Sequence, residues 1–311
     1  MPLISVLIPT HEPQPSRLQR TLSALRAQTL ASTSWETILV DNASPAPLSE
    51  TILSACAPAN LTVVREPKLG LTSARLRGIR SARGDLLVFV DDDNILNPQF
   101  LEVVQRIFTA HPRLGAAGGP IAGDFECSPP NWVPEFFGLL ALRDLGRKEI
   151  IAPGGDASAW PDCAPVGAGM CVRRNVAEIY AEQLSHDPAR LTLDRAGQSL
   201  ASGGDNDLVF TVLQAGWEVG YFPGLALTHL IPAGRLEPDY LARLNRGVMR
   251  TWVRVLALHG QFPWPKISRS TVRLRQLRAW WRFRAWQSAA HRIRWQGACG
   301  QLEGQADLAD L

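Results

Sequence analysis

The sequence predicts an α/β fold in which a mostly parallel sheet is flanked by helices. Short, nearly continuous apolar runs alternate with helical stripes along the first third of the chain. Such runs are expected of strands covered on both faces, and their alternation with helices makes the strands parallel. Three of the runs end in polar or acidic residues, and in such sheets ligands lie beyond the carboxyl ends of the strands.

The elements follow in order. Leu3-Ile4-Ser5-Val6-Leu7-Ile8 is the first strand, closed by Pro9-Thr10-His11-Glu12. Ser16 caps a helix with Leu18, Leu22 and Leu25 on one face. Thr37-Ile38-Leu39-Val40 is the second strand, closed by Asp41-Asn42, and residues 61–64 form a short third. Thr72 opens a helix through Ala74, Leu76 and Ile79 that Gly84 stops. Leu86-Leu87-Val88-Phe89-Val90 is the most apolar strand, and Asp91-Asp92-Asp93 follow it directly. Asn97-Pro98 supply a cap and a first-turn proline for a helix bearing Leu101, Val104 and Phe108.

Residues 119–165, rich in Gly, Pro and Trp, read as loops and short strands. Gly167-Ala168-Gly169-Met170-Cys171-Val172 is a tight approach into a strand. A helix over residues 205–215 starts near Asp205 and ends at Gly216, and Trp217-Glu218-Val219-Gly220-Tyr221 alternates like a strand. Residues 240–295 are C-terminal helices, and the tail from Gly297 is expected to be loose.

Composition narrows the class. The 311 residues suit one large α/β domain or two small ones, and 46% hydrophobic with 20% charged residues is ordinary for a soluble enzyme. A net charge of +3 is too small to imply a nucleic-acid partner. Five cysteines without a Cys-x-x-Cys pair argue against a disulfide framework or zinc site and fit reduced cytosolic thiols. Met1-Pro2 runs into the first strand without a basic start or small-residue cleavage site, so no signal peptide is expected. No apolar run approaches the roughly 20 residues that span a bilayer.

Three adjacent aspartates in a partly buried place repel one another unless something compensates them. A divalent cation does so, and hard carboxylate oxygens suit Mn²⁺ or Mg²⁺. A solvated turn capping the next helix is the alternative, although Asn97-Pro98 already supply that cap.

Four segments now stand in order: Val6-Leu7-Ile8-Pro9-Thr10, Ile38-Leu39-Val40-Asp41-Asn42-Ala43-Ser44, Gly70-Leu71-Thr72-Ser73-Ala74-Arg75 and Phe89-Val90-Asp91-Asp92-Asp93. Together, and at these spacings, they resemble the family 2 glycosyltransferases of GT-A fold, over roughly residues 3–230. The resemblance implies a GT-A (Rossmann-like) nucleotide-sugar-binding and catalytic domain over residues 1–235. A C-terminal helical extension would fill residues 236–311. It implies that Pro9, Thr10 and Glu12 line the nucleotide pocket and that Asp41 accepts a hydrogen bond from the base, typically uracil N–H. Arg75 would meet the base or diphosphate, Asp92 the ribose or sugar, and Asp93 the metal, Mn²⁺ or Mg²⁺. Asp91 is the least constrained of the three. Lys68, Leu76 and His11 depart from the family's Asn, Asn and Tyr, which bears on sugar and nucleotide identity.

An inverting transferase also needs a base for the acceptor hydroxyl. Gly203-Gly204-Asp205-Asn206-Asp207 resembles the family's Glu-Asp motif, with Asp205 as its Asp and Gly204 in place of its Glu. Asp205 is therefore the base or only a helix cap. Asp207 is read as solvent-facing and as the second choice of base. His229 either completes the metal site, as in many relatives, or is structural, while His111, His186, His259 and His291 are read as surface or packing. Gly167-Ala168-Gly169 fits a close approach to donor or acceptor and equally close strand packing. Arg173-Arg174 reads as a solvated pair or, less well, a diphosphate contact. Trp132, Trp160 and Trp217 are core residues or platforms for sugar rings. In residues 273–284, Arg275, Arg278 and Arg282 form a stripe among aromatic residues, suited either to an anionic membrane or to an ordinary packed helix.

The implied function is sugar transfer, with inversion, from a nucleoside-diphosphate donor (a UDP-sugar favoured). The acceptor is a hydroxyl of a glycan, polysaccharide or lipid-linked sugar. The implied location is cytoplasmic, or peripheral at the inner face of the cell membrane. Two alternatives stand beside it. A degenerate sugar-nucleotide-binding module is allowed by Gly204. A nucleotidyltransferase is disfavoured because residues 9–15 lack glycine. Neither a Gly-Lys-Ser/Thr phosphate loop nor a Gly-x-Gly-x-x-Gly fingerprint occurs.

Overall fold

The structure is a computed structural model that describes residues 3–46, 48–155, 160–197 and 199–308. Met1, Pro2 and the end of the expected tail, residues 309–311, lie outside the described residues. The chain forms two compact units. The first comprises Met1–Asp124, Ala141–Pro188 and Leu208–Leu230, and the second Phe125–Leu140, Ala189–Asp207 and Ile231–Leu311.

The elements are β1 (Ile4–Thr10), α1 (Pro15–Arg26), β2 (Trp35–Asn42), α2 (Glu50–Cys56), β3 (Leu61–Glu66), α3 (Leu71–Ser81), β4 (Leu86–Phe89), β5 (Asn94–Leu96), α4 (Phe100–Ala110), β6 (Leu114–Gly118), β7 (Ile121–Phe125), β8 (Ile150–Ala152), β9 (Cys171–Arg173) and α5 (Arg174–His186). There follow α6 (Gly204–Gln214), β10 (Glu218–Tyr221), β11 (Leu227–Ile231), α7 (Pro238–Leu258), α8 (Val272–Arg282) and α9 (Ala289–Asp307).

In the first unit an eight-stranded sheet runs β3-β2-β1-β4-β9-β6-β10-β8. The strands β3, β2, β1 and β4 are mutually parallel, as their apolar runs require. Every residue of β1, β2 and β4 is buried. Strand β8, at the edge, runs antiparallel to β10, and β9, inside the sheet, runs antiparallel to both β4 and β6. Its chain comes in at the carboxyl edge, where Gly169 N–H donates to Phe89 O at 2.9 Å. Gly169 has φ +71°, and a Cβ there would stand 2.3 Å from Leu227 Cδ2. Close packing therefore accounts for this glycine. A small second sheet, β5-β11-β7, lies in sequence beyond the acidic cluster.

Three helix starts differ from expectation. Gln14 rather than Ser16 caps α1, accepting Arg17 N–H at 2.8 Å, with Pro15 in the first turn. Helix α3 begins behind Gly70, one residue before Thr72. Helix α4 begins behind Gln99, because Asn97 is tied into a turn in which its carbonyl accepts Phe100 N–H at 2.9 Å.

In the second unit α7 packs along α9. The residues from Gly297, expected to be loose, are the second half of α9. Arg250 pairs with Asp307 at 2.7 Å and Arg246 with Glu303, and together these bonds hold that half against α7. Burial there pushes the Cys299 thiol up to about 11. No described helix is long and apolar enough to cross a membrane.

Candidate active site at the carboxyl edge of the sheet

Beyond β4 the chain makes one tight turn. Asn94 N–H donates to Asp91 O at 3.0 Å, and Asp91 N–H donates to Asn94 Oδ1 at 3.2 Å. Asn94 Nδ2 also donates to Asp93 Oδ1 at 3.2 Å. Asn94 is wholly buried and organises the acidic cluster. Its place beside three aspartates was the only sign of that role. Asp93 is buried, whereas Asp91 and Asp92 are half-buried. Thr10, the last residue of β1, donates its hydroxyl to Asp92 Oδ2.

Strand pairing brings in the histidine. β5 and β11 are antiparallel with His229 opposite Asn94, and Leu230 N–H donates to Asp93 O at 2.9 Å. His229 Nε2 thereby comes to 3.4 Å from Asp93 Oδ2. Two contacts, Thr10–Asp92 and Asp93–His229, are thus made by neighbouring residues of the same turn. Among the described residues no three His, Cys, Asp or Glu side chains are arranged to hold a metal ion. The donor pair, a carboxylate oxygen beside an imidazole nitrogen, still fits a divalent cation that takes further ligands from a substrate.

Asp41 stands opposite Thr10 in the parallel register of β1 and β2. Its Oδ1 accepts Ser44 N–H at 3.1 Å and its Oδ2 takes Arg65 Nη1 at 2.6 Å. Arg65 also donates to Ser44 O at 3.0 Å. No motif marks Arg65, but the β2–β3 register places it opposite Asp41. Asn42 donates to Glu66 O at 3.2 Å and Lys68 O at 2.8 Å, and accepts Gly70 N–H at 2.8 Å. It therefore sets the loop that leads into α3. On α3, buried Arg75 lies with its guanidinium carbon 5.8 Å from the Phe89 ring centre. Pro9 is buried within β1.

Glu12 is exposed, with its N–H donating to Ser44 Oγ at 3.0 Å. Glu12 (φ +46°) and Ala43 (φ +57°), just past the ends of β1 and β2, both occupy the left-handed region. Side chains other than glycine avoid that region, and such strain gathers where a loop must be aimed.

In the second unit Asp205 sits half-buried in the first turn of α6 and accepts Asn206 N–H at 2.9 Å. Gly204 precedes it. A Cβ on Gly204 would stand 2.5 Å from Asp194 Oδ2, so buried Asp194 fills the space a side chain would need. Asp207 does not face solvent. Its side chain is 0% exposed, accepting Arg190 Nε at 2.9 Å and lying 2.8 Å from His259 Nε2. Arg190 and His259 are themselves almost fully buried, so two cationic or donor groups offset the cost of burying the carboxylate.

Of the pair Arg173-Arg174, Arg173 is tied into the fold while Arg174 stays partly exposed. Arg173 donates to Leu114 O at 2.8 Å and Phe108 O at 2.9 Å, closing the end of α4, and desolvation lowers its pKa. Arg174 reaches Arg83 O at 3.2 Å. Trp160 packs on Phe210 with centroids 4.8 Å apart, and Trp217 lies against Arg173, both tryptophans being half-buried. Trp132 meets Phe136 edge-on at 6.2 Å.

The sequence pattern described as Glycosyl transferase family 2 matches residues 5–170, more than half of the chain. The chain belongs to glycosyl transferase family 2. Glycosyltransferase AglE of Haloferax volcanii is 31% identical over 256 residues, covering 81% of this chain and 75% of that protein. Validoxylamine A glucosyltransferase of Streptomyces hygroscopicus subsp. limoneus is 30% identical over 164 residues, 52% of this chain. The matched segment spans 35% of that protein, and only 12% of a Sinorhizobium fredii relative. Among solved structures, S. aureus TarS residues 1–349 superposes with a TM-score of 0.52 at 13% identity, covering 100% of this chain and 92% of that one. The architecture is the GT-A fold, and family membership sets aside the nucleotidyltransferase reading.

Proposed function

We propose that this family 2 member transfers a sugar, with inversion, from a nucleoside-diphosphate donor to a hydroxyl acceptor. The favoured donor is a UDP-sugar, and the acceptor is a glycan, polysaccharide or lipid-linked sugar. The observation that carries the reading is the buried Asp93–His229 pair standing beside the Thr10–Asp92 bond at the carboxyl edge of the sheet. A carboxylate beside an imidazole suits a cation whose remaining ligands come from a diphosphate.

In this reading Asp41, aimed by Arg65 and Ser44, accepts the base N–H, and Pro9, Thr10 and Glu12 bound the nucleotide pocket. Arg75 offers positive charge to the base or diphosphate. Asp92, oriented by Thr10, meets the ribose or sugar. Asp93 and His229 hold Mn²⁺ or Mg²⁺, which when bound supplies positive charge against that growing on the leaving diphosphate. Asp205 takes the proton of the acceptor hydroxyl. A lipid-linked acceptor places the protein at the cytoplasmic face of the cell membrane, in peripheral contact through the basic C-terminal segment.

A thermal-shift titration with nucleoside diphosphates and their sugars, with and without Mn²⁺, tests this. A ligand at a hundred times its Kd stabilises by about 2.7 kcal/mol, and UDP with Mn²⁺ is expected to give the largest shift. If no nucleoside diphosphate shifts the melt, the reading is wrong. If UDP binds but no sugar leaves the donor, the chain is the degenerate binding module instead.

A further inference from the structure

Helix α8 faces the wrong way for an ordinary surface helix. None of its residues is buried. Leu274, Leu277 and Trp281, spaced three and four apart, share one side of the helix, and they are 53%, 55% and 62% exposed. Gln276, on the other side, bonds to Glu303 at 2.9 Å and accepts Trp295 Nε1–H at 3.0 Å through its carbonyl, which fixes that side against α9. The apolar stripe therefore points outward, where a helix of a globular protein usually carries charge. Trp286, 49% exposed, extends it beyond the helix end, where Trp280, Trp281 and Trp286 cluster with centroids 4.6 to 5.2 Å apart.

The charge beside this stripe has one sign. Arg275, Arg278 and Arg282 flank it on one side and Arg273 on the other, all exposed. Among the described residues none of the four is paired with a carboxylate. Residues 240–302 hold 13 lysines and arginines and no acidic residue, so in a chain of net charge +3 the remainder carries −10. A strongly basic segment on an otherwise acidic chain points to an anionic partner. The exposed Leu and Trp between the arginines require that this partner also accept apolar groups.

We propose that α8 and Trp286 form an interfacial anchor for an anionic phospholipid surface. Leu274, Leu277, Trp281 and Trp286 enter the headgroup–acyl boundary, and Arg273, Arg275, Arg278 and Arg282 meet the lipid phosphates. The tryptophans suit that depth, since each ring has an apolar body and one N–H that stays hydrated. This deepens the peripheral contact proposed above and rests on it. Binding to lipid is nevertheless read without any sugar nucleotide, so its failure and the failure of the transfer chemistry are separate results.

The test is co-sedimentation of the full chain with phosphatidylcholine vesicles, with and without about 30% phosphatidylglycerol, at low and high salt. Binding is expected only with the anionic lipid, together with a blue shift of tryptophan emission. Leu277→Ser with Trp281→Ser is expected to weaken binding at least about tenfold by removing apolar contact. Arg278→Glu with Arg282→Glu is expected to do so by about thirtyfold or more. Because these side chains are exposed, the melting temperature stays within a few degrees of the parent's, and turnover of a water-soluble acceptor is unchanged. Equal binding to neutral vesicles overturns the proposal, as does parent-like binding by both double variants. So does a dilute-solution dimer dispersed by the Leu277/Trp281 change, or binding of duplex DNA with none of vesicles.

Discussion

His229 Nε2 lies 3.4 Å from Asp93 Oδ2, with both side chains more than nine-tenths buried. In the proposed reading these two groups share the cation. Asp93→Ala and His229→Ala are each expected to lower turnover at least about a hundredfold. Chelation is expected to abolish turnover in the parent, and Mn²⁺ to restore it. Full turnover in chelator, or in the Asp93 variant, would remove the metal from the mechanism.

Asp205 is expected to act in the chemical step rather than in donor binding. Asp205→Asn should cut kcat by about 10²–10⁴-fold while leaving the donor KM within a few-fold. If it acted only as a helix cap, the same change would shift the melting temperature and spare kcat. Parallel kinetics and melts separate the two.

Asp207 and its partners are a stability element. Removing one partner of a buried ion cluster costs about 3–5 kcal/mol, so Asp207→Ala is expected to lower the melting temperature by several degrees or more. Donor affinity per folded molecule should be unchanged. A near-neutral melt would contradict the burial seen here.

In the proposed reading Asp41, paired with Arg65, binds the base. Asp41→Ala is expected to raise the donor KM about tenfold, equivalent to one hydrogen bond. Arg65→Ala, whose side chain is half exposed, is expected to have a smaller effect on KM and almost none on kcat. Isothermal titration with UDP gives the same ranking independently of turnover.

Glu36 carries a pH signature of folding. Burial raises its pKa, but hydrogen bonds from Ser5 and Arg83 outweigh it and leave the carboxyl below the usual range. A carboxyl lowered in the folded state contributes stability above its unfolded pKa and loses it as pH falls through the folded value. Glu36→Gln is therefore expected to destabilise by about 1–2 kcal/mol at pH 7 and by much less near pH 3. Equal destabilisation at both values would refute the assignment.

Much of this was visible in the sequence because burial on both faces writes itself as uninterrupted apolar runs. Residues 3–8, 37–40 and 86–90 announced β1, β2 and β4, and their polar ends announced where Thr10, Asp41 and Asp92 gather. Side chains that come together through non-local pairing were less legible. The Asp93–His229 contact depends on a three-residue strand, β5, too short to show a period. Asp207 looked like any acid in a first helical turn, where the helix dipole favours exposed negative charge. Nothing local showed that Arg190 and His259 would enclose it. Arg65 and Asn94 likewise acquire meaning only through register and turn geometry.

Gly204 and Asp194 carry a last consequence. The family's motif has Glu where this chain has Gly204, and a Cβ there would stand 2.5 Å from Asp194 Oδ2, so a side chain at 204 requires the Asp194 carboxyl to move aside. The two positions are therefore coupled. A lineage that restores the glutamate turns the Asp194 carboxyl aside or shortens residue 194, and one that loses Asp194 leaves a void beside the glycine. A record of this chain's relatives should show the two sites exchanging bulk, one large whenever the other is small.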